Sequence, residues 1–313
     1  MSAFTTRLTE HINRYVQLRH ALGYAFRNQA ATLRAFGEFV DGRRESGPLT
    51  QRLALAFVMG RPVTPNVRNR RYAVLKNFAD YFAVFDPRTE VLDPQLLPRS
   101  RAIVPPRILE EDELARLLRA AREIAPRNPM RGQTLYVIIG LLASTGLRSG
   151  EITRLDRGDV DLEHGVLRIR RTKFRKHRLV PVHATTLDVL RGYAKARDTA
   201  YPRSTSPAFF LSLRGNRLSV GGFGDAFRED RTKAGLDSGL PRRLRPHDLR
   251  HRFAGTRLVM WYREGVNVHA RLPLLATYLG HARYSDTACY VTGTAELLGL
   301  AAARAFACAG GAR

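Results

Sequence analysis

Six side chains between positions 148 and 290 of this 313-residue chain could act together on a phosphate ester. Thr145-Gly146-Leu147-Arg148-Ser149-Gly150-Glu151 puts an arginine on a glycine-enabled turn, with a carboxylate three residues on. Thr172-Lys173-Phe174-Arg175 lies between two alternating apolar and polar runs, which puts Lys173 near the tip of a β-hairpin. Arg245-Pro246-His247-Asp248-Leu249-Arg250-His251 opens a helix on which His247 and Arg250, at i and i+3, share a face. Leu279-Gly280-His281 ends a helix in a histidine, and Tyr290 follows nine residues later. If the chain acts on nucleic-acid phosphates, it does so with cations, imidazoles and a side-chain nucleophile. No single piece is specific. In so arginine-rich a chain the HxxR pattern arises by chance roughly once or twice, and it recurs at His11/Arg14. The discriminating feature is the ordered series.

The alternatives lack their residues. There is no GxxxxGK[ST] loop for nucleotide hydrolysis, no HExxH or paired-cysteine spacing for a metal, no GxSxG elbow and no carboxylate cluster for a two-metal nuclease. No cofactor and no metal are expected. The formal charge of +24 makes a polyanion, most simply nucleic acid, the expected partner. Only five of the 52 basic residues are lysines. That bias reflects a GC-rich coding genome, so arginine abundance carries little information and each lysine carries more. Two cysteines, Cys289 and Cys308, build neither a disulfide framework nor a four-ligand zinc site, which fits a reducing cytoplasm. The longest apolar run, Leu135–Ala143, is about half the ~20 residues of a membrane span. The first residues, MSAFTTRLTEHINRY, do not read as a secretory signal.

The elements that must position these groups fall into two parts, in keeping with about 150 residues per domain. Residues 1–100 carry a net +7 and the rest +17, as expected if both lie against one phosphate backbone. The first part reads as four helices, Thr6–Leu22, Asn28–Gly42, Leu53–Met59 and a longer one from the Thr64-Pro65 cap to about Phe85. The last carries Arg68, Arg70, Arg71 and Lys76 away from its apolar residues, which suits a small DNA-clasping domain. From Asp86 to Ile108 five prolines and Arg88, Arg99, Arg101 and Arg107 read as an extended basic linker. The second part begins with a helix at Glu110, acidic in its first turn, followed by an apolar helix over Thr134–Ser144. The pattern then switches to period two at Val166–Arg170 and Arg178–Val182, a hairpin. Helices resume at Thr186–Arg197, around Phe223–Ala234, and at His247–Arg257, Leu274–Leu279 and Ala295–Ala307. The fold class is mainly α with a small antiparallel β-sheet.

The series TGLRxxE, hairpin lysine, HDLRH, LGH and a tyrosine nine residues on resembles the catalytic domain of the tyrosine recombinases, the phage-integrase, Xer and Cre group. LGHARYSDTACYVTGTAELL is similar to the transposon- and integrative-element branch. The resemblance implies an N-terminal helical core-binding domain at 1–100, a linker to about 107 and a catalytic domain at 108–313. It implies a site-specific recombinase, integrase or transposase that cuts and rejoins DNA through a 3′-phosphotyrosyl intermediate, keeping the bond energy without ATP or metal. Arg148 and Arg250 would grip the non-bridging oxygens, since a guanidinium offers two parallel donors, and His281 would add a third. His247 would assist proton transfer at the tyrosine, Lys173 would protonate the departing 5′-oxygen, and Tyr290 would attack. Glu151 would orient a catalytic side chain. Lys176, Arg101, Arg242, Arg243 and Arg245, with the four basic residues of the first part, would contact DNA phosphates. Tyr278 and Tyr284 compete with Tyr290, Lys176 competes with Lys173, and His281 could be a plain helix-end histidine. Expected partners are double-stranded DNA with specific sites, three further copies in a tetramer on two sites, and other recombinases of the same element; no membrane is expected. The expected location is the bacterial cytoplasm, at the nucleoid when on DNA. A type IB-like topoisomerase and a non-catalytic accessory DNA-binding subunit remain the rival readings.

Overall fold

The computed structural model describes residues 2–60, 62–97, 107–125, 127–170, 177–237 and 243–281, with Thr287, Gly299 and Ala302. The chain divides into two compact units, Met1–Val104 and Pro105–Arg313. Among the described residues no helix is long and apolar enough to cross a membrane.

The first unit holds α1 (Ala3–Ala21), α2 (Arg27–Gly42), α3 (Gln51–Met59) and α4 (Pro65–Phe82). Helices α1 and α3 start two or three residues earlier than their apolar periodicity predicts, because polar residues ahead of it cap them. Ser2 Oγ accepts from Thr5 N–H at 3.1 Å, and Thr50 Oγ1 from Leu53 N–H at 3.2 Å. Thr64 stands at the N-cap of α4 before Pro65, without a side-chain cap bond. The core is aromatic: Phe36, Phe78 and Phe82 are fully buried, with Phe78 stacked on Phe82 at 5.7 Å. The segment expected to start an extended linker at Asp86 instead belongs to this unit through Leu97. Leu92 is fully buried in its core. Glu90 N–H donates to Leu49 O at 3.0 Å, and Asp93 N–H to Gln51 Oε1 at 2.9 Å. The proline content concealed one leucine and two backbone bonds that hold the strap down.

The second unit runs α5 (Glu111–Glu123), α6 (Pro129–Thr145), α7 (Ser149–Ile152), a 3₁₀ turn (Arg157–Asp159), β1 (Val160–Asp161), β2 (Val166–Ile169), β3 (Arg178–Pro181), α8 (Ala184–Ala200), α9 (Val220–Lys233), α10 (Pro246–Arg263) and α11 (Val268–Leu279). The chain is thus mainly helical with one small antiparallel sheet of order β1-β2-β3, in which Leu167 faces Val180. Strand β1 has only two residues, too few for a period to register. Helix α6 is buried on nearly every side, through Leu135, Val137, Ile138, Ile139, Leu141 and Leu142, because α5, α8 and α10 pack around it. Helix α10 continues six residues past Arg257, and Leu258 packs with Leu272, Leu275 and Leu279 of α11 in a smaller second core. Helix α11 starts six residues before Leu274: Asn267 Oδ1 accepts from Ala270 N–H at 3.2 Å, and Pro273 lies inside the helix. The hairpin tip, 171–176, and the helix expected at Ala295–Ala307 lie outside the described residues, apart from Gly299 and Ala302.

Candidate active site

The site is organised by the last turn of α11. The final carbonyls of a helix have no intrahelical donor and carry the negative end of its dipole. Gly280, at φ +69°, turns the chain out of the helix. Its N–H bonds Thr277 O at 3.0 Å, and the His281 N–H bonds Ala276 O at 2.9 Å. Three successive carbonyls then receive three arginines from three other elements. Arg178 Nε on β3 donates to Tyr278 O at 2.8 Å, Arg250 Nη2 on α10 to Leu279 O at 2.8 Å, and Arg148 Nη2 to Gly280 O at 3.4 Å. The matching turn at the end of α6 is Gly146, at φ +63°, whose carbonyl accepts from Arg250 Nη1 at 2.8 Å. Arg250 is 0% exposed and ties two helix ends together. A Cβ at Gly146 would lie 2.6 Å from the Phe253 ring and 2.9 Å from Leu279, so only glycine satisfies both the backbone and the packing.

Arg148 caps α7. Its N–H donates to Glu151 Oε2 and its Nη1 to Glu151 Oε1, both at 3.0 Å. Arg178 approaches the same carboxylate from the other side as a fork, with Nη1 to Oε1 at 3.1 Å and Nη2 to Oε2 at 2.9 Å. Burial pushes the Glu151 carboxyl up. The hydrogen bonds and charge of Arg178, followed by the backbone and charge of Arg148, outweigh that and hold it below the usual carboxylate range. Sequence reasoning expected Glu151 to orient a neighbour but passed over Arg178. The available signal was register: Arg178 points to the same face of β3 as the fully buried Val180.

His247 stands in the first turn of α10, exposed, with its ring set edge-on to His251 at 4.8 Å. The crowding beneath it, then the charges of His251 and Arg250, lower its pKa to about 4; Asp248 opposes this and Arg148 adds to it. At neutral pH the imidazole is therefore uncharged and able to accept a proton. His281 follows the glycine turn, with Nδ1 2.7 Å from Thr287 Oγ1. Arg148, Glu151, Arg250 and His281 thus meet at the end of α11, and His247 lies three residues before Arg250. Lys173 and Tyr290 lie outside the described residues, as do Tyr284, Lys176, Arg101 and Arg242. Tyr278, one of the competing tyrosines, packs flat on Phe253 at 5.6 Å and donates to Pro181 O at 3.4 Å. Burial pushes its phenol to about 12, which suits packing and not attack.

The surface cations vary in availability. Arg70 is exposed, Arg68 and Arg71 are half-buried, and Lys76 pairs with Asp80 at 2.8 Å. Arg243 and Arg245 are exposed at the entrance to α10.

Comparison with known proteins identifies the family. The family model described as the phage integrase family matches residues 107–296. The chain is 56% identical over 306 residues to a Sinorhizobium fredii protein named as an integrase/recombinase, y4rE, covering 98% of both chains. It is 34% identical over 239 residues to the tyrosine recombinase XerC of Pelotomaculum thermopropionicum, covering 73% of this chain and 71% of that one. Its fold matches that of the XerH site-specific recombinase, solved in a post-cleavage complex with a palindromic difH substrate. The TM-score is 0.67 at 19% identity, covering 95% of this chain and 84% of the other. With the family model spanning more than half its length, and its glycine turns and arginines gathered at one helix end, the chain belongs to the phage integrase family, the tyrosine recombinases.

Proposed function

We propose that the chain is a site-specific DNA recombinase that cuts and rejoins strands at the sites of a mobile element, with Tyr290 as nucleophile. The observation that carries this reading is the gathering of Arg148, Arg250 and His281 at one helix end, with a neutral imidazole, His247, three residues before Arg250. The phenol of Tyr290 attacks a DNA phosphorus. His247 takes up its proton, and Arg148, Arg250 and His281 hold the oxygens on which charge accumulates. Lys173 gives a proton to the departing 5′-oxygen, leaving a 3′-phosphotyrosine and a free 5′-hydroxyl. The free hydroxyl of another strand reverses the step. Because strands are exchanged between two duplexes, four copies act on two sites, with other recombinases of the same element as candidate partners. Residues 1–100 supply a second DNA-contacting domain, with Arg68, Arg70, Arg71 and Lys76 on one helix; Arg101, Lys176, Arg242, Arg243 and Arg245 contact phosphates from the other domain. The similarity to chains named as recombinases favours this reading over a topoisomerase or a non-catalytic accessory subunit.

The test uses randomly nicked duplex fragments tiling the DNA that flanks the gene. A nick lets the short product diffuse away and traps the adduct. The full chain is expected to form covalent complexes that survive denaturation, at a limited set of positions. Tyr290→Phe should abolish them while leaving binding intact. Adducts that persist in Tyr290→Phe would exclude that nucleophile, and their absence from the wild-type chain on every fragment would overturn the function.

A further inference from the structure

Arg148 and Arg178 share the Glu151 carboxylate, but unequally. The Arg178 side chain is 10% exposed and that of Glu151 is 2% exposed, whereas that of Arg148 is 34% exposed. Arg178 takes both carboxylate oxygens in a fork, at 3.1 and 2.9 Å. Through its guanidinium, Arg148 reaches only one of them, at 3.0 Å. The three side chains hold two positive charges and one negative. The buried pair cancels, and the remaining positive charge is on the most exposed member. Without Arg178, the carboxylate would have Arg148 as its one arginine partner in this group. The favourable geometry is then the two-bond fork, which would draw Arg148 inward and cancel its charge. We propose that Arg178 is a positioning residue that neutralises Glu151 and so leaves the charge and the outer edge of Arg148 available to the DNA phosphate.

This rests on the reading of Arg148 as a phosphate ligand. Three further observations support it. Arg178 lowers the Glu151 pKa more than Arg148 does. Its Nε is fixed by Tyr278 O, so the fork cannot rotate away from the carboxylate. The space it occupies is reserved by Gly280, where a Cβ would lie 2.6 Å from Arg178 Nη1.

A neutralising role makes a prediction that a merely structural role does not: removing the acid should make the arginine dispensable. The experiment compares the full chain with Arg178→Met, Arg178→Lys, Glu151→Gln and the double variant Arg178→Met/Glu151→Gln. Adduct formation is timed on the nicked flanking DNA, and binding is followed by gel shift. Arg178→Met is expected to slow adduct formation on the order of 100-fold, the scale of losing one transition-state donor, with binding changed less than about threefold. Arg178→Lys should fall between Arg178→Met and wild type, since it restores the charge without the fork. The double variant should react within about threefold of Glu151→Gln alone. A double variant far slower than Glu151→Gln, or an Arg178→Met enzyme as fast as wild type, would overturn the proposal. If Arg178→Met does not fold, the comparison of the double variant with Glu151→Gln decides it. A wild-type chain that forms no adduct overturns the functional reading and this inference with it. An Arg148→Ala variant that cleaves at the wild-type rate overturns the site on which the inference stands.

Discussion

The two units place arginine differently. In the first, no described arginine is buried: arginines lie over the edge of the aromatic core, as Arg19 over the Tyr15 ring at 5.1 Å, or, like Lys76, beside local acids, as in Arg14 with Glu10 at 2.5 Å and Lys76 with Asp80 at 2.8 Å. In the second, arginines go inside and clamp backbone carbonyls between distant segments. Arg197 holds Phe209 O, Arg231 holds Leu244 O and Arg250 holds both Gly146 O and Leu279 O, each bond at 2.8 Å, and all three residues are buried. Because Arg197 and Arg231 are occupied in this way, the larger net charge of the second unit overstates its phosphate-facing surface. A guanidinium with five donors suits this use, because it can satisfy two or three irregular carbonyls at once.

Breaking the strongest clamp tests the contrast most directly. Arg250→Met is expected to cost about 3–5 kcal/mol of stability, from two lost charged hydrogen bonds and two carbonyls left in the interior; urea unfolding of the full chain measures it. A loss below about 1 kcal/mol would mean that the clamp is ornamental. Gly146→Ala should cost about 2–3 kcal/mol in the same assay, from positive φ together with the Phe253 and Leu279 clash.

Asp230 shows the converse, a buried acid with no cation bound to it. It is 0% exposed, and neither carboxyl oxygen has a hydrogen-bond partner among the described residues. Burial pushes its pKa to about 7, with Glu229 adding to the rise and Lys233 opposing it. A raised carboxyl pKa means the native chain binds the proton more tightly than the unfolded one. This group's contribution should therefore fall as pH rises from about 4 to about 7 and stay low above that. Asp230→Asn should gain roughly 2 kcal/mol at pH 8 and nothing at pH 4; a gain equal at both pH values would refute the titration. Smallest in stability is the surface of the first unit. Arg70→Ala should change unfolding by less than about 0.5 kcal/mol. It should lower the salt-dependence slope of DNA binding by about 1 if Arg70 meets a phosphate.

The sequence was most informative where a period or a punctuating residue carried the information. Helices α1 to α4 announce themselves by apolar spacing, and Gly146 and Gly280 mark turns that only glycine fits. The ordered series of chemical motifs was enough to point to the family. What stayed hidden has one physical character: long-range pairing of groups whose local sequence is unremarkable. Arg178 looks like one more arginine in a basic hairpin until Glu151 and Tyr278 lie against it. Leu92 looks like part of a proline-rich linker until the core of the first unit closes over it. His247 could be read as a proton carrier from its place beside Arg250, but the lowering of its pKa comes from partial desolvation and from charges on α10 and at the start of α7.

The three arginines at the end of α11 also bear on exchange behaviour. The amides of Gly280 and His281 are held by Thr277 O and Ala276 O, so their deuterium uptake reports how often that turn opens. Each opening releases the docking points of Arg148, Arg178 and Arg250 at once. The population of molecules with an assembled site is therefore governed by the local opening free energy of a single helical turn, a quantity that can lie well below the free energy of unfolding the chain.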